Sequence, residues 1–218
     1  MFEYVEDKEY LSRVRSVCGE IMQDFCHTLK EDYDIGSTFY LVGSGAKNLI
    51  VQNASQPIDL DYNLEIVRCE YFGDCRKLKE CARKAFNKAL SMNGWGDCED
   101  STSSLTTEHR HFTQGNQTLF SIDVCIVFTD TQDRMCRLIH VKTGFIYDDR
   151  YYWNQAPHSS GVREKVDFIK RKGKWNLVRE QYLWLKNKYL TSNDYNHPSF
   201  ICYIEAVNNV YNSRMSWK

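Results

Sequence analysis

Residues 39–66 read FYLVGSGAKNLIVQNASQPIDLDYNLEI, and two parts of this stretch decide the fold. Phe39, Tyr40, Leu41 and Val42 form a short apolar run that stops at Gly43-Ser44-Gly45. That pattern predicts a buried strand ending in a tight, backbone-exposing turn. Further on, the chain alternates without a slip. Ile58, Leu60, Tyr62, Leu64 and Ile66 fall on one face, and Asp59, Asp61, Asn63 and Glu65 fall on the other. Side chains of a strand repeat every two residues, so both aspartates leave the same face as near neighbours.

Working outward, residues 8–33 carry apolar side chains at Leu11, Val14, Cys18, Ile21, Met22, Phe25 and Leu29. Three-and-four spacing of this kind predicts an amphipathic helix. Residues 74–92 return to it through Leu78, Cys81, Ala82, Ala85, Phe86, Ala89 and Leu90, with Asn93-Gly94 as the stop. Between 95 and 150 the readings are strands, clearest over Leu119–Phe128 and Cys136–Val141. From Val162 onward the chain reads as helical, with helices over Trp175–Leu190 and Ser199–Tyr211 joined by a loop over 193–198. The order predicts an α+β domain, a mixed sheet flanked by helices. Residues 1–155 are expected to form its core and residues 156–218 a C-terminal helical region packed against it as the wall of a cleft, with one continuous domain or a separate helical domain as alternatives.

Composition limits the function classes. The 218 residues are 42% hydrophobic and 26% charged, with 28 Lys+Arg against 29 Asp+Glu and a net charge of -1. Mean hydropathy is -0.56, and no run approaches the roughly 18 apolar residues of a membrane helix. The acidic start, MFEYVEDKEY, lacks the layout of a secretory signal. A cytoplasmic protein without a membrane partner is expected. Near-neutral charge argues against a general nucleic-acid binder. The charge is uneven, however: residues 1–35 hold nine acids and four bases, and residues 161–190 hold nine bases and three acids. Nine scattered cysteines include no C-x-x-C pair, so free thiols acting as small hydrophobes are expected.

The chemistry centres on acids. Two carboxylates held as close as Asp59 and Asp61 repel unless a cation lies between them or one takes a proton. Hard oxygen ligands at that spacing suit Mg²⁺ or Mn²⁺. Asp123 is a third candidate, standing alone opposite the apolar face formed by Ile122, Val124, Ile126 and Phe128. A strand with one wet face also explains Asp59 and Asp61, and Asn63 and Glu65 on that face support this reading. His109 and His111 lie two apart but lack the partners a zinc site needs.

Leu41-Val42-Gly43-Ser44 followed, after a gap of fourteen residues, by Asp59-Leu60-Asp61 resembles the signature of the DNA polymerase β-like nucleotidyltransferase superfamily. The likeness covers roughly residues 35–130, and Asp123 matches the further acid that follows on a later strand. The resemblance implies transfer of a nucleoside monophosphate from a nucleoside triphosphate to an acceptor hydroxyl, with Mg²⁺ or Mn²⁺ as cofactor. It implies metal-binding and catalytic roles for Asp59, Asp61 and Asp123, and phosphate contacts from Gly43 and Ser44. For Lys47 two readings stand: neutralising the β- or γ-phosphate, or a solvated turn lysine. The acceptor is expected to be a small molecule, a protein side chain or an RNA end, with a small molecule or protein favoured over a long nucleic acid.

Two rival readings accompany it. One is a catalytically inactive nucleotidyltransferase-like binding module, acting in a toxin–antitoxin or defence pair or binding RNA through residues 163–188. The other is an unrelated α+β domain whose acids sit on a convex, solvent-facing surface. Lys170-Arg171-Lys172-Gly173-Lys174 reads as a solvated face, a contact to the triphosphate tail, or a contact to an RNA backbone. Trp175, Tyr182, Trp184 and Tyr189 read as core between helices rather than a base-stacking platform.

Overall fold

The amphipathic stretch at 8–33 is a helix of those bounds, and its ends follow from local chemistry. Asp7 accepts a hydrogen bond from Tyr10 N at 2.9 Å as N-cap, and Asp34 closes the helix in the left-handed conformation, φ 52°. The computed structural model describes residues 1–156, 160–192 and 198–217. In chain order the elements are β1 (Phe2–Tyr4), α1 (Lys8–Tyr33), β2 (Gly36–Leu41), α2 (Gly43–Lys47), β3 (Val51–Asn53), β4 (Ile58–Arg68) and α3 (Cys75–Met92). Then come β5 (Glu99–Asp100), β6 (Leu105–Thr106), β7 (Phe120–Thr129), β8 (Met135–Val141), β9 (Arg150–Gln155), α4 (Ser160–Arg171), α5 (Trp175–Thr191) and α6 (Ser199–Asn212).

The main sheet is mixed, so the fold is α+β as expected. β4 runs parallel to β7 and antiparallel to β2. The first half of β7 takes β6 on its other side, and its last residues take β8, which pairs with β9. A parallel pair needs a crossover of a dozen or more residues, and here the crossover contains α3. The alternation read in residues 58–66 is realised: Ile58, Leu60, Tyr62, Leu64 and Ile66 are all buried, in one cluster with Val14, Cys18, Phe25, Leu78 and Phe86 of α1 and α3. Phe25 and Phe86 stack with ring centroids 4.8 Å apart. A second apolar cluster lies under α4, α5 and α6 and includes Leu49 beside Val178, Leu185 and Val207. The small β1–β3 ribbon joins the two parts. Asn187 of α5 pairs its amide with the backbone of Phe2, and the Tyr4 hydroxyl donates to Arg179 O at 2.7 Å.

Several expectations are corrected. Gly43-Ser44-Gly45 is not an open turn but the start of the short helix α2, entered through Gly43 at φ +59°. Trp184 is 55% exposed rather than core, while Tyr182 is buried and Trp175 and Tyr189 are half-buried. β1, β3 and β9 are strands that were not read from the sequence. The loop expected over 193–198 lies, up to residue 197, outside the described residues. Among the described residues, which include all nine cysteines, no disulfide is formed. Among the described residues, no helix is long and apolar enough to cross a membrane.

Full burial of a large apolar side chain stabilises by about 1.5–3 kcal/mol, and the cavity left by its removal adds to the loss. Phe86→Ala is therefore expected to lower unfolding stability by about 3–5 kcal/mol, measured by urea denaturation. Trp184→Ala should cost less than about 1 kcal/mol. Equal losses for the two would contradict this placement of the core.

Candidate active site

The acid-bearing face of β4 meets that of β7 in a register that leaves little freedom. Asp59 stands opposite Ser121, and Asp61 opposite Asp123. Beyond β7, Thr106 of β6 stands opposite Asp123. Asp61, Asp123 and Thr106 therefore form a row across three neighbouring strands. Ser121 Oγ donates to Asp59 Oδ1 at 2.5 Å, and Thr106 Oγ1 donates to Asp123 Oδ1 at 2.5 Å.

Gly43 closes the row from the side of β2 and α2. A Cβ built at this position would overlap the Asp61 carboxylate, and the positive φ is one that other residues rarely adopt. The close approach of backbone to carboxylate thus requires glycine. Val42 N also donates to Asp61 O at 2.8 Å, which fixes the entry to α2 against β4.

Gly43, Ser44, Lys47, Asp59, Asp61 and Asp123 all line one cavity of about 700 Å³. The six positions singled out in the sequence are therefore brought together, and the convex-surface reading is excluded. Lys47 is half-buried and donates to Gly43 O at 3.0 Å, so it is not a solvated turn lysine. His109 and His111 do not line this cavity. The basic run at the α4–α5 junction keeps Lys170, Arg171 and Lys172 exposed. The Lys170 ammonium lies over the Trp175 ring, and the Trp175 indole donates to Lys47 O at 3.2 Å.

Charge is crowded in this cavity. Burial, then the negative charges of Asp123 and Asp59, push the Asp61 carboxyl up to about 6. Lys47 and Arg137 partly offset this rise. Burial also raises Asp123, and the Thr106 hydrogen bond opposes the shift. Lys47 is lowered, mainly by burial, with the charge of Asp61 acting against the shift.

Three carboxylates in a confined space offer the hard oxygen donors that a divalent cation takes, and burial followed by their mutual repulsion raises Asp61. In donor chemistry the residues fit Mg²⁺ or Mn²⁺. The expected three-carboxylate metal cluster is nonetheless not formed as the side chains stand. Among the described residues, no group of three His, Cys, Asp or Glu is gathered closely enough to hold an ion. The hydroxyls of Thr106 and Ser121 instead hold Asp123 and Asp59 individually.

Other residues of the cavity escaped the sequence reading. Tyr182, Lys186, Ser199 and Tyr203 line it from α5 and α6, Arg137 from β8, and Phe2 from β1. Lys186 Nζ donates to Ser199 Oγ at 3.0 Å, and Lys47 Nζ lies 5.1 Å from the Tyr203 ring centroid. Burial lowers Lys186 and pushes the Tyr182 and Tyr203 hydroxyls up to about 12. Ser121 carried a usable signal, being two residues before Asp123 on the same strand face. Thr106, on a two-residue strand, carried none.

No protein-family model matches the sequence, and no curated protein matches it. Solved structures do match the fold. The Elizabethkingia meningoseptica CdnE cyclic dinucleotide synthase, determined with GTP and Apcpp, superposes with a TM-score of 0.50 at 16% identity, covering 95% of this chain and 71% of that one. CdnC of E. coli MS115-1, determined with ATP, gives a TM-score of 0.54 at 17% identity, covering 93% of this chain and 61% of that one. The chain thus shares the fold of these two structures, and it spans roughly three-fifths to seven-tenths of their lengths.

A raised carboxyl pKa has a consequence for stability. Between the ordinary value of 3.8 and about 6, the folded state holds a proton on Asp61 that the unfolded chain releases. Stability therefore falls as pH rises through that window. Asp61→Asn removes the penalty. Without divalent ions it should stabilise the protein at about pH 7.5 by on the order of 1–2 kcal/mol, after discounting for partial exposure. The gain should vanish near pH 4. Denaturant melts at the two pH values check this, and a destabilised Asn variant at pH 7.5 would contradict it.

Proposed function

We propose that this protein is a nucleotidyltransferase that uses Mg²⁺ or Mn²⁺ to move a nucleoside monophosphate from a nucleoside triphosphate to an acceptor hydroxyl. The observation that carries the reading is the meeting of Gly43, Ser44, Lys47, Asp59, Asp61 and Asp123 around one cavity, on a fold shared with a cyclic dinucleotide synthase. Asp59, Asp61 and Asp123 would hold the metal, whose contribution when bound is to neutralise phosphate charge and polarise the reacting oxygens.

The remaining roles belong to the chain itself. Gly43 lets the backbone run close beside the carboxylates, and the Ser44 hydroxyl is placed to donate to phosphate oxygens. Lys47 supplies a fixed positive charge beside Asp61, and Lys186 with Ser199 offers a second cation and a hydroxyl on another wall. Phe2 and Tyr203 give the cavity aromatic surface for a base. Thr106 engages one oxygen of Asp123, and the other can take the proton of the acceptor hydroxyl as its oxygen attacks the α-phosphate. Pyrophosphate then leaves.

Residues 1–155 serve in this reading as the catalytic core, and 156–218 as the helical wall of its cleft. The acceptor is a small molecule or a protein. A nucleotide is the first small molecule to try, since one structural neighbour is a cyclic dinucleotide synthase. Near-neutral net charge supports this over a long nucleic acid.

One observation favours a second reading. The three carboxylates do not gather as a ready-made metal cluster, which is what an inactive binding module on the same scaffold would show.

Thermal melts separate the two. Under the catalytic reading, a nucleoside triphosphate with Mg²⁺ raises Tm by mass action, and Asp59→Asn with Asp61→Asn abolishes the Mg²⁺-dependent part. A screen of labelled triphosphates then finds transfer. Nucleotide binding that ignores both Mg²⁺ and these substitutions would support the inactive module instead.

A further inference from the structure

A second set of buried charges stands behind the hairpin that touches Asp123. The hairpin is β5, a turn and β6, with only two residue pairs between its strands. So short a ribbon does not hold its own geometry in water. Two other elements hold it instead. From α3, Lys79, 2% exposed, donates to Ser101 O at 2.8 Å and forms an ion pair with Asp100 at 2.8 Å. From β8, the backbone N of His140 donates to Thr102 O at 2.7 Å.

The His140 ring, 4% exposed, lies between two carboxylates: Nδ1 is 2.8 Å from Asp100 Oδ2 and Nε2 is 3.0 Å from Asp149 Oδ2. Tyr151 stacks on it with centroids 4.1 Å apart, and the Lys142 ammonium donates to Asp100 O. Burying charges is expensive, and apolar residues of similar volume often stabilise as well or better. A reason beyond stability is therefore to be sought in what the hairpin carries.

It carries Thr106. A row of hydroxyls leads from the anchor to the site: Ser101 Oγ lies 2.8 Å from Ser104 Oγ, which lies 3.4 Å from Thr106 Oγ1, which donates to Asp123 Oδ1 at 2.5 Å. A hydroxyl donating to one carboxylate oxygen sets the plane of the group and turns its other oxygen in a defined direction.

We propose that Thr106 is a positioning residue for Asp123, kept in place by the Lys79–Asp100–His140 anchor behind its hairpin. This rests on the proposed role of Asp123 as a metal ligand. Partners that orient a ligand commonly govern metal affinity by about 10–100-fold.

Binding of Mn²⁺ alone to the full chain, followed by electron paramagnetic resonance of the free ion, tests the proposal. Thr106→Val should weaken binding about tenfold, and Thr106→Ser, which keeps the hydroxyl, should stay within about twofold of wild type. Asp100→Asn should weaken binding alone but add little on the Thr106→Val background, because both act through one contact. Wild-type affinity in Thr106→Val, equal losses in the Val and Ser variants, or full additivity of Asp100→Asn would each overturn the proposal. If Asp100→Asn does not fold, the Val and Ser pair decides.

Should the wild type bind no Mn²⁺, the proposed function fails, and the crystal structure of Thr106→Val decides the positioning on its own. A rotated Asp123 carboxylate supports it. An unmoved one overturns it.

Discussion

The parallel pairing of β4 with β7 is the constraint on which the rest of the structure depends. It sets Asp61 opposite Asp123 and Asp59 opposite Ser121, and it does so with two strands whose other faces are buried in the core. A shift of one residue in either strand would turn its acids into apolar packing and its leucines and isoleucines into the cavity. The register is thus held by the core, and the site inherits its geometry from that register. The cost appears at Asp61, whose carboxyl is pushed up to about 6 by burial and by two neighbouring acids. Such local conflict with stability is what an unassembled binding site for a cation would show.

The second constraint is steric. Gly43 brings backbone against the Asp61 carboxylate where no other residue fits, and α2 then turns Lys47 back toward the same carboxylate. The Trp175 indole takes the carbonyl of Lys47, so the helical region is fastened to the element that carries the Gly-Ser motif. Cavity residues drawn from β1, α2, α5 and α6 are consequently parts of one wall system rather than separate features.

Much of this was legible in the sequence because it rests on periodicity. Ile58 to Ile66 alternates in two-residue steps, the 8–33 and 74–92 helices repeat at three and four, and Asp123 stands out against a run of apolar neighbours. Those patterns located Asp59, Asp61 and Asp123, the end of the apolar run at Val42 marked Gly43 and Ser44, and the resemblance to the DNA polymerase β-like nucleotidyltransferases added Lys47; the fold gathers all six around one cavity. What was not legible lacks local pattern. Thr106 acts from a strand of two residues, and its partner is seventeen positions away. Lys186 and Tyr203 reach the cavity only through the packing of α5 on α6. Arg137 looked like an ordinary strand residue, and Phe2 precedes any recognisable periodic stretch. Gly43 was read correctly as a special backbone position but assigned to a turn, because five residues are too few to show a helical repeat. Trp184 shows the converse error, in which helical spacing suggested burial that tertiary packing does not supply.

The central claim is that Asp59, Asp61 and Asp123 act together on a divalent ion and a triphosphate. The most direct measurement is a crystal structure of the chain soaked with Mn²⁺ and a non-hydrolysable nucleoside triphosphate, read by anomalous scattering at the manganese edge. The account predicts an anomalous peak among the three carboxylates, with the triphosphate running past Gly43 and Ser44. An empty carboxylate face, or manganese and nucleotide bound elsewhere on the molecule, would contradict it.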